Sequence, residues 1–251
     1  MDFIPFKMSA KVGYNQVDNT GQLRVLSTIQ ILEEAAIENC YSIGRDVLAL
    51  LQEGYGWVLR GGSIRFDRYP SYADSILIET WISKWTTFQG FREFVMLDAG
   101  GEECVKATTA WAFIDLNSRR PVPIPEDFRE RWEFDGSKAL EAALMKKPLE
   151  VPSKILSETF SIRRTDIDGN LHVNNVRYLE WVLETVPHEF YAENELESVE
   201  GAFLKEARFE DQIEVRIGKA GETELIHNVT RKCNGEVLAT GRSRWRRRRT
   251  G

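Results

Sequence analysis

Two stretches of the chain carry apolar residues at helical spacing, and each is followed by a series of strand-like runs. In the first stretch Ile29, Leu32 and Ala36 fall at i, i+3 and i+7; in the second Val176, Leu179, Leu183 and Val186 fall at i, i+3, i+7 and i+10. Ser27 or Thr28 is the expected N-cap of the first helix, and Asn174 or Asn175 of the second. Short strands over 6–14 and 159–164 lead into Gly/Asn/Asp loops ahead of the helices. After them come runs at 57–66, 76–85, 91–98 and 103–115, then at 199–208, 213–219, 225–231 and 236–245. One helix followed by an antiparallel meander predicts an α+β fold, a sheet wrapped around a single central helix, in each half.

The two halves resemble one another in sequence. Residues 18–35 lie against 166–183 at an offset of 148, with Asp18 over Asp166, Gly21 over Gly169 and Leu23 over Leu171. Residues 72–79 match 209–216 at an offset of 137, and 101–111 match 235–245 at 134. Three matches in the same order predict two tandem copies of one unit. The expected division is 1–130, a linker at 131–154 and 155–251; the Pro-rich segment 121–154 has no counterpart elsewhere.

Composition narrows the possible functions. The 251 residues are 42% hydrophobic and 29% charged, ordinary globular usage, which excludes disordered and fibrous classes. The net charge is −6. Six arginines (Arg242, Arg244, Arg246, Arg247, Arg248 and Arg249) sit in the last ten residues, and without them 27 basic residues face 39 acidic ones. A body that acidic is not a nucleic-acid binder, although an Arg tail suits an acidic partner. Cys40, Cys104 and Cys233 are scattered and form no CxxC pair, which predicts neither a disulfide framework nor a zinc site and suggests a reducing cytosol. The first residues show no signal or transit peptide, and no run approaches the length of a membrane helix.

Candidate chemistry lies where the copies differ. At the offset of 148 the second copy has Asp168, Asn170 and His172 where the first has Thr20, Gln22 and Arg24. A carboxylate, a carboxamide and an imidazole at i, i+2 and i+4 on a loop entering a helix converge on one small site. Asp serves as base or nucleophile, His moves protons, and Asn orients a group or donates to an oxyanion beside the positive helix end. The same DIDGN opens like a calcium loop, but Leu171 stands where the turn Gly belongs and Arg177 where the bidentate Glu belongs. No nucleophile elbow, P-loop, dinucleotide fingerprint or HExxH is present. His188 and His227 have no ligand-spaced partners and read as surface or structural residues.

Residues 163–184, RRTDIDGNLHVNNVRYLEWVLE, resemble the signature of the acyl-[acyl carrier protein] thioesterases, plant plastid and bacterial enzymes that release free fatty acids. Asp166 through Trp181 match the pattern D-x-D-x-N-x-H-V-N-N-x-x-Y-x-x-W, and the segments 66–82, 107–130 and 203–215 are also similar to family segments. The resemblance implies a tandem hot-dog fold and thioester hydrolysis without metal or organic cofactor. It places catalytic groups on Asp168, Asn170, His172 and Glu206. Older family proposals put a nucleophilic Cys directly after that Glu; Ala207 stands there, which removes a papain-like mechanism. Tyr69 occupies the place of Glu206 in the first copy.

The first copy is then the expected acyl-binding half, with Ile29, Leu32 and Ala36 as tunnel liners and Asn174 and Asn175 as further substrate contacts. Arg163, Arg164, Arg177, Lys205 and Arg208, with the C-terminal Arg cluster, are the expected docking residues for an acidic acyl carrier protein bearing its phosphopantetheine-linked chain. The chain begins almost at the first hot-dog strand, without a plastid leader, which suggests a bacterial cytoplasmic enzyme. A homodimer is possible. An acyl-CoA thioesterase and a non-catalytic acyl-binding protein are the alternatives.

Overall fold

The computed structural model describes residues 3–132, 135–141, 145–152, 154–169 and 172–248, with the backbone alone at 154 and 155. Asn170, one of the expected catalytic residues, and Arg249 lie outside the described residues. The chain divides into two compact units, 1–142 and 143–251.

In the first unit strand β1 (Phe6–Lys11) precedes helix α1 (Val25–Ser42) and the short helix α2 (Val47–Gln52). Strands β2 (Tyr55–Phe66), β3 (Ser75–Trp85), β4 (Gln89–Asp98) and β5 (Glu103–Asp115) follow, then the two-residue β6 (Arg120–Pro121) and helix α3 (Glu126–Arg131). The antiparallel sheet runs β1-β3-β4-β5-β2, with β6 on β5. The second unit has β7 (Lys154–Ser161), α4 (Asn175–Thr185), α5 (His188–Glu193), β8 (Asn194–Phe203), β9 (Gln212–Lys219), β10 (Glu224–Arg231) and β11 (Glu236–Arg247). Its antiparallel order is β7-β9-β10-β11-β8. Both units therefore join first, third, fourth, fifth and second strands, each around one long helix. This is an α+β hot-dog arrangement.

Each helix is held by the face it buries. α1 packs on β1 and β3 through Val25, Thr28, Leu32, Ala35, Ala36 and Asn39, while Ile29 is only half-buried. α4 packs on β7, β9 and β10. Its buried residues are Val176, Tyr178, Trp181, Val182 and Thr185, whereas Leu179 and Leu183, predicted to face the core, are half-buried. The aromatic side chains decide the phase, because each ring brings far more apolar surface than a leucine. Trp181 stacks on Phe160 of β7 at 6.2 Å, and Tyr178 meets Phe203 of β8 edge-on at 5.4 Å.

Helix starts differ from expectation in the first unit. α1 begins at Val25 after Arg24, which makes no side-chain cap bond; Ser27 and Thr28 lie buried inside the helix, and the Thr28 hydroxyl donates back to the Arg24 carbonyl at 3.0 Å. In the second unit Asn174 caps α4, its Oδ1 accepting the Val176 N–H at 2.8 Å. β8 starts and ends about five residues earlier than predicted. It stops because the N–H groups of Leu204 and Lys205 both turn to the Leu238 carbonyl, at 2.8 and 3.1 Å.

The segment between the units is held at both ends. Buried Glu93 accepts from Ser83, Thr108 and the Ala139 N–H, and Trp81 donates to the Ser137 carbonyl at 3.1 Å, fixing residues 137–139 to the first unit. Leu149 is fixed to the second, donating to Thr240 at 3.0 Å and accepting from Asn228 at 2.9 Å.

Candidate active site

Between β7 and α4 a single 3-10 turn (Arg164–Asp166) leads into a loop pinned at its base. Buried Asp166 accepts the Arg163 N–H at 2.7 Å, Ile167 bridges Val173, and the Asn174 N–H donates to the Asp166 carbonyl at 2.8 Å. Within that frame the Asp168 N–H donates to the His172 carbonyl at 2.8 Å, and Asp168 Oδ1 accepts the His172 N–H at 3.3 Å. These two bonds tie Asp168 to His172 just ahead of α4, so the carboxylate braces the backbone that carries the His172 imidazole.

His172 Nε2 is buried and has no hydrogen-bond partner among the described residues. It lies 3.6 Å from Glu206 Oε2, with the His172 side chain 13% exposed and that of Glu206 36%. The separation exceeds a hydrogen bond, and it leaves the two groups close enough to act on one small molecule. Glu206 itself sits on the turn after β8. The Glu206 carbonyl accepts from Arg231 Nη2 at 2.7 Å, and the next N–H, that of Ala207, donates to the Tyr178 hydroxyl at 2.9 Å. Burial pushes the Tyr178 hydroxyl up to about 12, so it stays protonated through the physiological range. Residue-level reading of the sequence missed both Tyr178 and Arg231. Tyr178 is visible as the motif tyrosine, whereas nothing in the sequence singles out Arg231.

The first unit contains the same loop, displaced from the sequence match by two residues. Its 3-10 turn is Tyr14–Gln16, Gln16 Oε1 accepts the Gly13 N–H at 2.8 Å, Val17 bridges Leu23, and Arg24 N–H donates to the Gln16 carbonyl at 2.9 Å. Asp18 N–H donates to the Gln22 carbonyl at 2.8 Å, and Asp18 Oδ1 accepts the Gln22 N–H at 3.2 Å. The structural offset is thus 150, not 148. Asp168 corresponds to Asp18, Asn170 to Thr20 and His172 to Gln22. The first unit keeps the carboxylate that braces the loop, and has Thr20 at the place of Asn170 and Gln22 at the place of the imidazole. Matched glycine and leucine identities pull the sequence match off register, because the glycines sit at different steps of the loop: Gly21 has φ +81°, whereas Gly169 has no positive φ. Beyond β2 the Asp67 and Arg68 N–H groups share the Cys104 carbonyl as Leu204 and Lys205 share that of Leu238, which sets Tyr69 opposite Glu206.

The remaining expected site residues are placed as follows. Asn174 commits its Oδ1 to the helix cap, leaving its NH2 donors, and Asn175 opens α4 half-buried. Leu32 and Ala36 are buried on α1. Arg163, Arg164, Lys205 and Arg208 are exposed, with the Arg164 guanidinium 5.5 Å over the Phe209 ring. Arg177 is occupied by Asp166, 3.6 Å away, and by Glu180. Of the C-terminal arginines, Arg242, Arg244, Arg246 and Arg247 lie on β11 and Arg248 just past it, and alternation with buried Ser243 and Trp245 turns Arg242, Arg244 and Arg246 to one face. Arg242 and Arg244 pair with Glu224 at 3.2 and 3.1 Å, Arg246 with Glu195 at 2.7 Å, and Arg247 with Glu193 at 3.6 Å. Among the described residues no group of three His, Cys, Asp or Glu is placed to hold a metal ion.

Comparison with known proteins agrees with this anatomy. Residues 4–132 match the model of the acyl-ACP thioesterase N-terminal domain, and residues 150–247 that of the acyl-ACP thioesterase C-terminal domain. A chloroplastic acyl-[acyl-carrier-protein] hydrolase of Cuphea viscosissima is 28% identical over 100% of this chain and 64% of its own length. A chloroplastic palmitoyl-acyl carrier protein thioesterase of Gossypium hirsutum is 27% identical over 91% of this chain and 60% of its own. The chain thus spans less than two thirds of these relatives. Among solved structures, an acyl-ACP thioesterase from Bacteroides thetaiotaomicron superposes with a TM-score of 0.84 at 24% identity, covering 96% of this chain and 97% of its own. The 12:0-ACP thioesterase of Umbellularia californica gives 0.85 at 22% identity, covering 97% of each. With both family domains matched in order along the same two units, the chain belongs to the acyl-ACP thioesterase family.

Proposed function

We propose that the protein hydrolyses fatty acyl-acyl carrier protein thioesters to free fatty acid and carrier protein, with the chemistry in the second unit. The observation that carries this reading is the buried Nε2 of His172, without a partner among the described residues and 3.6 Å from the Glu206 carboxylate, on a loop whose counterpart in the first unit has Gln22 instead. In the reaction an oxygen–carbon bond forms at the thioester carbonyl, the carbon–sulfur bond breaks, and the departing thiolate takes a proton. Asp168 activates water or attacks directly to give a transient anhydride, while His172 and Glu206 carry the protons. Asn170 and backbone N–H groups near the start of α4 stabilise the oxyanion. The N–H groups of Val176 and Arg177 already donate to Asn174. No cofactor enters this scheme.

The first unit supplies the acyl site in this reading, with Leu32, Ala36 and half-buried Ile29 beside the chain. Exposed Arg163, Arg164, Lys205 and Arg208 receive the acidic carrier protein. Arg177 and the β11 arginines contribute less, since glutamates and Asp166 already balance them. The setting is a bacterial cytoplasm; the free thiols Cys40, Cys104 and Cys233 suit a reducing compartment.

The test is release of free fatty acid from acyl-ACPs of graded chain length, with the matching acyl-CoA esters alongside. Faster turnover of the carrier-protein esters is expected. Preference for CoA esters would make the protein an acyl-CoA thioesterase, and binding without hydrolysis would make it an acyl-binding protein.

A further inference from the structure

The peptide group joining Glu206 to Ala207 is held at both of its polar atoms by side chains. Its carbonyl accepts from Arg231 Nη2 at 2.7 Å, and its N–H donates to the Tyr178 hydroxyl at 2.9 Å. Both holders are themselves fixed. Arg231 bonds Asp211 through Nε at 3.0 Å and Glu236 through Nη1. The Tyr178 ring packs 5.4 Å from Trp181 and 5.4 Å from Phe203, and the residue is 4% exposed. A clasped peptide plane cannot rotate, so the direction in which Glu206 leaves the backbone is set before any substrate arrives.

Among the described residues the first unit has other side chains at all three of these positions. Thr28 occupies the helix position of Tyr178 and bonds back to the Arg24 carbonyl. Asp98, at the end of β4 as Arg231 is at the end of β10, pairs with Arg68 at 3.0 Å. Tyr69 stands at the position of Glu206. The clasp therefore occurs in the unit that carries the His172–Glu206 pair, and its side chains are replaced at the matching described positions of the twin. A fold requirement would appear in both.

We infer that Tyr178 and Arg231 are positioning residues that clasp the Glu206–Ala207 peptide and so aim the Glu206 carboxylate at His172. The inference rests on the hydrolytic reading of that pair. Tyr178→Phe keeps the ring and removes only the acceptor for the Ala207 N–H. It is expected to lower kcat about tenfold or more with KM changed less than about twofold, and to change kcat less than about twofold when Glu206 is already Gln. Wild-type kcat in Tyr178→Phe, or the same fractional loss with and without Glu206, would overturn the assignment.

Arg231→Lys is the second probe and should show the same dependence on Glu206 if Tyr178→Phe does not fold. An NMR titration of the His172 imidazole decides independently of turnover. Tyr178→Phe should move the His172 midpoint in the same direction as Glu206→Gln, and an unmoved midpoint would count against the clasp. If the wild-type protein hydrolyses no thioester, the proposed activity falls, and the titration still decides whether Tyr178 aims Glu206.

Discussion

Asp168 and Asp18 perform the same structural task, each accepting the N–H four residues on through Oδ1, at 3.3 and 3.2 Å. A carboxylate retained in the unit without the imidazole is a loop brace first, and any catalytic duty of Asp168 is added to that. Asparagine keeps the accepting oxygen and drops the charge, so the two duties separate. Asp168→Asn is expected to lower turnover by about 100-fold or more, the usual weight of an acid–base group, and His172→Ala similarly, with thermal midpoints nearly unchanged. Asp18→Asn should leave turnover as it was. Equal activity in Asp168→Asn and Asp18→Asn, measured on folded protein by fatty-acid release, would confine Asp168 to bracing. Motif spacing made Asp168 and His172 legible, because both belong to one short segment. Arg231 was not, since its role depends on a carbonyl 25 residues earlier in the chain.

Among the elements, β11 shows how a compositional reading goes astray. Six arginines near the end read as a tail when counted, but Arg242, Arg244 and Arg246 alternate along one face of a strand whose other face buries Ser243 and Trp245. Glu195 of β8 and Glu224 of β10 pair with that face. The strand also depends on close approach at Gly241, which pairs with Gly201 of β8. A Cβ there would lie 2.6 Å from His227 Cε1 and 2.7 Å from the Glu200 carbonyl oxygen. Backbone cannot yield as a flexible side chain can, so Gly241→Ala should destabilise the protein by about 1–3 kcal/mol in urea unfolding. Most strands were legible from alternation to within two residues. The six-residue helices α2, α3 and α5 were not, because six residues complete too few turns to show a period.

For the molecule as a whole, pH sensitivity should come from a residue outside the active-site motif. His227 on β10 is buried, its Nε2 has no partner among the described residues, and burial pushes its imidazole down to about 4. The unfolded chain takes up this proton near pH 6.5 and the folded one not until about 4. The stabilisation is therefore complete above 6.5 and is lost as the pH falls between those values, by up to about 3 kcal/mol. Urea unfolding at pH 7 and pH 4.5 should show the loss, and His227→Gln should flatten it. A slope unchanged in the variant would assign the acid sensitivity to other groups. No helix among the described residues is long and apolar enough to cross a membrane.

Local pattern by itself determined the strand series, the two long helices, the duplication and the loop bearing Asp168 and His172, since periodicity, loop residues and motif spacing are properties of neighbouring positions. Tertiary structure decided what depends on distant partners. It set the register between the copies at 150, because backbone hydrogen bonds rather than residue identities define equivalent loop positions. It chose the buried face of α4 through rings supplied by other strands, and set Arg242, Arg244 and Arg246 on a strand face where glutamates meet them. It also brought Glu206 to His172 across 34 positions of the chain, held by a peptide clasp whose two side chains no local pattern connects.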